Sequence, residues 1–513
     1  MKGESRTLKS LKNAEVSLFY YVVLMLLGLW SRKVFLDYIG VEVLGLNTTA
    51  NNLFGYLSLA EMGVGTAITY FLYKPLNVND YETLNKIVAL QGWVYRWVAA
   101  FIIFAAIVLM CFFPIIFSDI RVPLWYAYVI FATILFNSML GYFINYKSIV
   151  LSADQKGYKI TRVTQGFVAF VNILQIAFLP LVPNPFLFYI FTTILSSVFG
   201  CLWLCHVICK EYPWLDTNGY RGKELMREFP EVIKKTRQLF VHKLGAAAHN
   251  TTYPIVMYAF STLSVVGSYS NYATIIGQVH VIIGTMFSSV GAAVGSLIAT
   301  DDQPRIIRVF WELYDSRFCL SAIAVICIFF LFHPFISLWI GKQYILGRLF
   351  LTLFLLDTFM NLTRRTVDQY INGYGLFQDV WAPALEAFIY VAGAIGFGFL
   401  WGYKGVLVGG ILSQLVIVYL WKPYMLFKKG IGLPSSAYFI PVIKRHLVLL
   451  GDMLLLLMIF ERLIPVTFAD IFELVFYAVI VLLISSAVII GEFYLFSQGM
   501  KDFIKRIGII VCR

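Results

Sequence analysis

Long apolar runs recur along the whole chain, and they restrict its fold more than any other feature of the sequence. The runs are 18 to 28 residues long and are bounded by charged residues, proline or glycine. About 20 apolar residues in a helix, rising about 1.5 Å per residue, cross the roughly 30 Å hydrocarbon core of a bilayer. Barrel strands would be about 10 residues long and would alternate in polarity. The pattern therefore predicts an all-α polytopic membrane protein.

The charged residues support this class and exclude others. Only 13% of the residues are charged, about half the share found in soluble domains. The net charge of +12 could suit nucleic acid, but the basic residues flank apolar runs instead of forming a patch. The seven cysteines form no CxxC pair and lie mostly inside apolar runs, so we expect neither a metal site nor a disulfide framework.

Fourteen apolar runs are long enough to be spans. They start near residues 14, 44, 87, 122, 159, 186, 236, 266, 318, 348, 380, 405, 441 and 471. With the N-terminus on the cytoplasmic side, the inner segments hold 31 of the 40 basic residues and the outer segments hold 7. Cytoplasmic loops are enriched in Lys and Arg. We therefore predict 14 transmembrane helices with both termini in the cytoplasm.

The chain is weakly similar to itself at a nearly constant offset along the sequence. Segment 44–47 parallels 266–269, segment 112–116 parallels 332–336, and segment 152–154 parallels 372–374. Such a register predicts a duplicated six-span unit, whose copies share one orientation because six is even. The predicted organisation is an N-terminal six-helix bundle at 1–210, a cytoplasmic linker at 211–235, a C-terminal six-helix bundle at 236–430, and helices 13 and 14 with a tail at 431–513. A parallel pseudo-two-fold axis would relate the bundles.

Polar side chains inside the predicted spans are the candidate site residues, because an ionised group at mid-bilayer costs about 2.5–3.5 kcal/mol. We predict that basic side chains line a cationic cavity between the bundles: Arg32, Arg96, Lys243, Arg364 and Arg365. Others lie at helical spacing on spans 2 and 10, or on span 8, and are expected to line a polar stripe or to bind a coupling ion: Asn47, Asn51, Ser58, Glu61, Asp357, Asn361, Asp368 and Asn271.

Structural roles are the alternatives at several of these positions. Arg32 could reach the outer headgroups along its aliphatic stem. Arg364 and Asp368 are spaced i,i+4 and could only neutralise each other. Glu61 could be neutral and hydrogen-bonded within its own bundle. The sequence contains no phosphate loop, no H-E-x-x-H and no glycine-rich dinucleotide turn, so we expect no enzyme activity.

Several motifs in the first 300 residues are similar to those of a known family. They are Arg32-Lys33-Val34-Phe35-Leu36, the segments 39–47, 57–65 and 72–76, the pair Tyr95-Arg96, and the segment 266–272. Together they resemble the N-terminal region of the Wzx-type flippases. These form the polysaccharide transporter branch of the multidrug/oligosaccharidyl-lipid/polysaccharide exporter superfamily.

The resemblance implies a flippase of the bacterial cytoplasmic (inner) membrane. Its substrate would be an undecaprenyl-diphosphate-linked oligosaccharide of O-antigen, capsule or exopolysaccharide, moved to the periplasmic leaflet by alternating access. Arg and Lys in a cavity would bind the diphosphate through charge-assisted hydrogen bonds. No cofactor is implied beyond H⁺ or Na⁺ as a coupling ion. The expected partners are the lipid-linked oligosaccharide, membrane lipids and other glycan assembly proteins, without nucleic acid.

Three other functions stay open from the sequence. A lipid II flippase would have the same fold and a closely related substrate. A multidrug exporter of the same superfamily would need a more acidic and aromatic cavity for organic cations. A membrane-embedded glycan polymerase or ligase would be basic and polytopic as well, but usually has a large periplasmic loop, whereas every predicted outer loop here is short.

Overall fold

The computed structural model is helical throughout, and no strand occurs among the residues it describes. Those residues are 6–61, 64–232, 236, 253–287, 294–295, 297–298, 301–376, 379, 381–463, 468 and 470–511. The chain divides into two compact units, unit 1 (Met1–Gly267) and unit 2 (Ser268–Arg513).

Unit 1 is built from long helices that coincide with the apolar runs. They are α1 (Arg6–Tyr38), α2 (Val41–Ser58), α3 (Val64–Val78), α4 (Tyr81–Cys111), α5 (Trp125–Phe143), α6 (Gly157–Phe178) and α7 (Pro185–Glu211). Short helical segments connect or follow them: Leu59–Glu61, Phe113–Ile116, Asn145–Ser148, Ile149–Ala153 and Gly222–Glu228. The sequence predicts span 2 as one helix, but its α-helix ends at Ser58.

Unit 2 continues the pattern with longer helices. They are α8 (Leu263–Met286), which begins at the unit boundary, α9 (Gln303–Trp339), α10 (Arg348–Thr363), α11 (Arg365–Tyr374), α12 (Trp381–Trp401), α13 (Tyr403–Ile431), α14 (Ser436–Leu463), α15 (Ile471–Phe496) and α16 (Gln498–Val511). The helix α9 begins at Gln303, well before the predicted span near 318. Its first half carries charged residues that a search for apolar runs does not detect.

Nine helices in the described part of the chain are long and apolar enough to cross a membrane. The protein is therefore a multi-pass α-helical membrane protein, as predicted. The number of fourteen spans stays a prediction.

The two units repeat each other's local backbone structure. The offset from the start of α2 to the start of α8 is the same as the offset from the start of α4 to the start of α9. Both α4 and α9 are capped by an aspartate that accepts from a backbone N–H three residues on, at 3.1 Å for Asp80 and 3.2 Å for Asp302. The residue before each cap, Asn79 or Asp301, has the same left-handed φ of 54°. The duplication is thus visible in the helix starts.

The repeat continues further along each unit, with a slightly shorter offset. The short helix Ile149–Ala153 in unit 1 and α11 in unit 2 are each followed by a residue in the left-handed region. These residues are Gln155, with φ at 59°, and Gly375, with φ at 66°. Two offsets therefore relate the units: the longer one pairs Asp80 with Asp302, and the shorter one pairs Gln155 with Gly375.

A buried ionic network holds the last helices of unit 2 together. Arg445 on α14 donates to both carboxylate oxygens of Asp315 on α9, which is fully buried. Ser497, between α15 and α16, donates to the same carboxylate. The Arg445 guanidinium also lies 4.4 Å from the ring centre of Trp311. Since a buried charge is tolerated only when it is paired and hydrogen-bonded, this network fixes how α9, α14 and α16 pack.

Candidate functional site

A large polar cavity of about 830 Å³ lies within unit 1, where α2 ends. Glu61, in the short turn that follows α2, contributes the carboxylate of this cavity. It accepts hydrogen bonds from the phenol of Tyr95 on α4 at 3.2 Å and from the phenol of Tyr142 on α5. The two tyrosine rings meet edge to face, with centres 5.3 Å apart. Glu61 therefore accepts from two phenols within its own unit.

The rest of this cavity, here called the Glu61 cavity, is aromatic and amide-rich. Besides Glu61, Tyr95 and Tyr142, its lining includes Thr69, Tyr70, Tyr73, Gln91, Ser138, Asn145, Tyr146, Ser148 and Ser152. The Oε1 atom of Gln91 and the Oδ1 atom of Asn145 are buried without a hydrogen-bond partner in the described structure. Among the described residues that line it there is no lysine or arginine. Flat rings and amide or hydroxyl groups of this kind match the C–H faces and hydroxyl edges of a sugar.

A second polar cavity of unit 1, about 340 Å³, contains two predicted residues, Arg32 on α1 and Asn47 on α2. Gly40 turns the chain between these helices with φ at 98°, a backbone conformation that favours glycine. The Asn47 amide donates to the Tyr189 hydroxyl at 3.4 Å, and Asn51 donates back to Asn47 at 3.0 Å. The predicted polar stripe of span 2 is thus divided between two cavities. Asn47 on α2 lines one of them, and Glu61, just after α2, lines the other.

Two other predicted residues of unit 1, Arg96 and Ser58, do not line either cavity. Arg96 is exposed, and its Nε donates to the Gly92 carbonyl of the same helix at 3.3 Å. Ser58 donates to the Gly55 carbonyl at 2.8 Å. Lys243 lies outside the described residues. Arg32 and Asn47 therefore line the same cavity, whereas Arg96 does not line the cavity that contains Glu61.

In unit 2, Arg364 belongs to an ion-pair network. Its Nε lies 3.1 Å from Asp368 and its Nη1 lies 3.4 Å from Glu386, while Lys422 lies 3.1 Å from the other oxygen of Asp368. Two cations therefore face two carboxylates. The i,i+4 pair of Arg364 and Asp368 considered from the sequence is present. Glu386 and Lys422, which the sequence did not suggest, complete the network.

Asp357 and Asn361 form a separate polar cluster between α10 and α13. The Gln414 amide donates to Asp357 Oδ1 at 2.6 Å, and Asn361 donates to Asp357 Oδ2 at 3.3 Å. Asn271 on α8 is fully buried, and neither polar atom of its side chain has a hydrogen-bond partner in the described structure. These three predicted residues are interior polar groups of unit 2.

A smaller cavity of unit 2, about 300 Å³, contains Arg365 and a residue that sequence analysis missed, Arg317. It is here called the arginine cavity, and α8, α9, α10 and α11 form it. Its lining is His280, Ile283, Gly284, Phe287, Arg317, Leu362, Arg365, Asp368, Gln369 and Asn372. Arg317 is only 4% exposed, and its guanidinium lies 4.4 Å from the ring centre of Phe287.

The arginine cavity is the repeat equivalent of the Glu61 cavity. Most of its lining residues occupy positions that line the Glu61 cavity at the two offsets found in the backbone. The longer offset pairs Glu61 with Ile283, Gly65 with Phe287, and Tyr95 with Arg317; the shorter offset pairs Tyr142 with Leu362, Asn145 with Arg365, Ser148 with Asp368, Ile149 with Gln369, and Ser152 with Asn372. The repeat could have shown Arg317 from the sequence, as the counterpart of Tyr95.

Another cavity that uses α9 and α10 is mostly apolar, has a volume of about 500 Å³ and lies between α9, α10, α13 and α14. Its lining includes Val325, Phe329, Phe359, Tyr419 and Leu450. Val325 follows Arg317 on the same helix, about 12 Å further along the axis. Unit 2 therefore places a cationic and an apolar cavity in succession along α9.

Comparisons with known proteins identify the fold. No protein-family model and no curated protein matches the chain. Among solved structures, the chain is similar to the lipid II flippase MurJ in an inward closed conformation, with a TM-score of 0.64 and 15% identity, over 94% of this chain and 98% of that one. It is also similar to an inward-facing multidrug resistance MATE family transporter of the MOP superfamily, with a TM-score of 0.57 and 13% identity, over 79% of this chain and 96% of that one.

This chain therefore shares its fold with these two solved proteins. Both solved proteins are named as a flippase or a transporter, and neither is named as an enzyme. At 15% and 13% identity the likeness establishes the fold and leaves the substrate open. The narrower resemblance to the Wzx-type flippases stays a prediction.

Proposed function

We propose that this protein is a flippase that moves an undecaprenyl-diphosphate-linked oligosaccharide from the cytoplasmic to the periplasmic leaflet of a bacterial inner membrane. The Glu61 cavity is the observation that carries the proposal. It is large, it lies in a membrane protein with the fold of a lipid II flippase, and hydroxyl, amide and aromatic groups line it. Sugar rings present matching groups, whereas a hydrocarbon substrate would leave the buried Gln91 and Asn145 oxygens unpaired.

The other cavities fit the remaining parts of such a substrate. The arginine cavity supplies charge for a diphosphate, and the apolar cavity of the same unit supplies surface for a prenyl chain. We propose alternating access as the transport cycle, driven by H⁺ or Na⁺. The carboxylates of Glu61 and Asp357 are the candidates to bind the coupling ion.

Filling the Glu61 cavity tests the proposal. Gly141 lines this cavity, and a Cβ added there would meet no atom within 4 Å. Gly141→Trp should therefore place a large side chain where the sugar would bind and should reduce surface glycan at least 10-fold. The host would be a strain that lacks its own lipid-linked oligosaccharide flippase. Gly451→Trp is the matched control, since its Cβ would meet open space on α14, outside this cavity. Normal glycan export by Gly141→Trp at wild-type abundance would refute the sugar assignment.

A second function, export of organic cations, is favoured by one observation. Among the described residues that line its cavity, Glu61 is the one charged group, and tyrosine rings surround it. A carboxylate and aromatic faces attract a large cation. Ethidium accumulation in cells separates the two functions, and Glu61→Gln shows whether the carboxylate attracts the cation. If the wild-type protein lowers ethidium accumulation and Glu61→Gln does not, the cation exporter is favoured; glycan export by the wild type without any ethidium efflux favours the flippase.

A further inference from the structure

The arginine cavity contains more positive charge than its carboxylate neutralises. Arg317 and Arg365 both line it, and Asp368 is its one carboxylate among the described lining residues. Asp368 already pairs with Arg364 and Lys422, at 3.1 Å each. Neither Arg317 nor Arg365 forms a salt bridge within the described part of the chain. The cavity therefore carries two arginines without a counter-charge of their own.

Arg317 is a donor that the protein itself does not satisfy. Its Nε and Nη1 atoms are buried and have no hydrogen-bond partner in the described structure. Its close contact with the ring of Phe287 positions the guanidinium but accepts no N–H hydrogen bond in the plane. Leaving a buried charged donor unpaired is costly, whereas an anion in the cavity would pair it.

The repeat gives an independent argument that this cavity has a specific occupant. At the position of Glu61 unit 2 has Ile283, so the carboxylate is absent. At the position of Tyr95 it has Arg317, and at that of Asn145 it has Arg365. The same backbone framework therefore exchanges one acid for an aliphatic side chain and two neutral groups for two cations. It also exchanges Ser148 for Asp368, but the Asp368 carboxylate already pairs with Arg364 and Lys422. The net change favours an anion.

We propose that the arginine cavity is a phosphate-binding site that takes a diphosphate group, with Arg317 and Arg365 as its main ligands. Guanidinium groups offer paired N–H donors that match phosphate oxygens, and two of them suit a diphosphate better than a single phosphate. The side chains of His280 and Asn372 supply further donors at the rim. The identity of the natural ligand as a lipid diphosphate rests on the proposed function, whereas the anion site does not.

Binding measurements on the purified full-length protein test the site directly. Inorganic pyrophosphate and farnesyl diphosphate would be titrated by calorimetry into the protein in a nonionic detergent. Arg317→Gln should weaken both at least 10-fold, since a hydrogen bond to a charged group is lost. Arg365→Gln, on a more exposed side chain that tolerates change, should weaken both about 3- to 10-fold. Arg308→Gln is the matched control on α9, because this side chain is 72% exposed and lies outside the cavity.

The outcomes separate the site from the proposed function. Absence of pyrophosphate and farnesyl diphosphate binding to the wild type, or equal affinities in wild type, Arg317→Gln and Arg365→Gln, would overturn the site. Tighter binding of farnesyl diphosphate than of pyrophosphate, retained in Arg308→Gln, supports a lipid source; equal binding supports the site with a free diphosphate as its ligand. If Arg317→Gln binds the diphosphates and exports glycan as the wild type does, the site is contradicted. If Arg317→Gln loses binding but the wild type exports no glycan, only the proposed function is contradicted.

Discussion

The Glu61 cavity of unit 1 and the arginine cavity of unit 2 occupy equivalent positions in a repeat, yet their charges are opposite. Unit 1 has one carboxylate held by two phenols. Unit 2 has an aliphatic side chain at that place and two arginines around it. The backbone features shared by the units are the aspartate caps of α4 and α9 and the left-handed residue before each. A cap pairs backbone N–H groups that the helix itself leaves unpaired, whatever a nearby cavity binds. The side chains that line the two cavities do not form these helix ends, so they can differ between the units.

The largest expected effect comes from restoring the acid in unit 2. Ile283→Glu places a carboxylate where Glu61 stands in unit 1, in the cavity of Arg317 and Arg365. An internal ion pair would then compete with the external anion, and we expect pyrophosphate affinity to fall about 100-fold, or about 2.7 kcal/mol. Calorimetry with the purified protein measures this. Ile283→Gln has the same size without the charge and should bind nearly as the wild type does; a similar loss in both variants would show that shape, not charge, governs the cavity.

How far the sequence predicted these features depends on what each rests on. Helix positions followed from apolar runs, because a lipid-exposed backbone can satisfy its own hydrogen bonds in a helix, over the about 20 residues that a span requires. The start of α9 did not, since the stretch before 318 is amphipathic and looks like a charged loop. The same reason hides Arg317, because it directly precedes the apolar run and looks like one of the basic residues that flank a span.

The site was predicted in part for similar reasons. Helical spacing placed Asn47 and Glu61 on one face of span 2, but it assumed an unbroken helix, and α2 ends before Glu61. Spacing along one helix also carries no information about partners on other helices. It therefore could not show that Tyr95 and Tyr142 hold Glu61, that Glu386 neutralises Arg364, or that Arg96 faces away from the cavity.

A smaller effect is expected from removing one phenol in unit 1. Tyr142→Phe deletes a hydrogen bond to Glu61 and leaves Tyr95 as the remaining donor from these two residues. A hydrogen bond to a charged group contributes about 1.5–3 kcal/mol, and we expect the free energy of unfolding to fall by about 1–2 kcal/mol. Chemical unfolding in detergent measures it.

A double-mutant cycle with Glu61→Gln makes that comparison sharper. If the phenol acts through the carboxylate, Tyr142→Phe should cost less in the Glu61→Gln background than in the wild type. Tyr73→Phe is the control, because this tyrosine lines the same cavity and no hydrogen bond joins it to Glu61 in the described structure. Equal costs for Tyr142→Phe in both backgrounds would mean that the phenol stabilises unit 1 through packing and not through Glu61.

The smallest expected effect concerns a surface network of unit 1, which differs from the buried network of Asp315 in unit 2. Asp154, in the turn before α6, lies 2.6 Å from both Lys9 and Lys156 and accepts from the Tyr212 hydroxyl at 2.8 Å. Its side chain is 23% exposed, so water screens these pairs. The network ties the start of α1 to the start of α6 and the end of α7.

The pH dependence of unfolding tests this network. Partial burial raises the pKa of Asp154, but hydrogen bonds from Lys156, Lys9 and Tyr212 outweigh it, so the pKa lies below its ordinary 3.8. A carboxylate with a lowered pKa stabilises the fold above its ordinary pKa, and this contribution is lost as the pH falls through the folded value. The free energy of unfolding of the wild type should therefore exceed that of Asp154→Asn by about 1 kcal/mol at pH 7, and this difference should shrink below about pH 4.

The control is Asp216→Asn, in the loop after α7. Its difference from the wild type should not shrink in this way, because the Asp216 carboxylate forms no salt bridge within the described residues. If the difference between the wild type and Asp154→Asn stays constant down to pH 3, Asp154 acts through shape and hydrogen bonding alone. The comparison between the screened network of unit 1 and the buried network of unit 2 would then not rest on electrostatics.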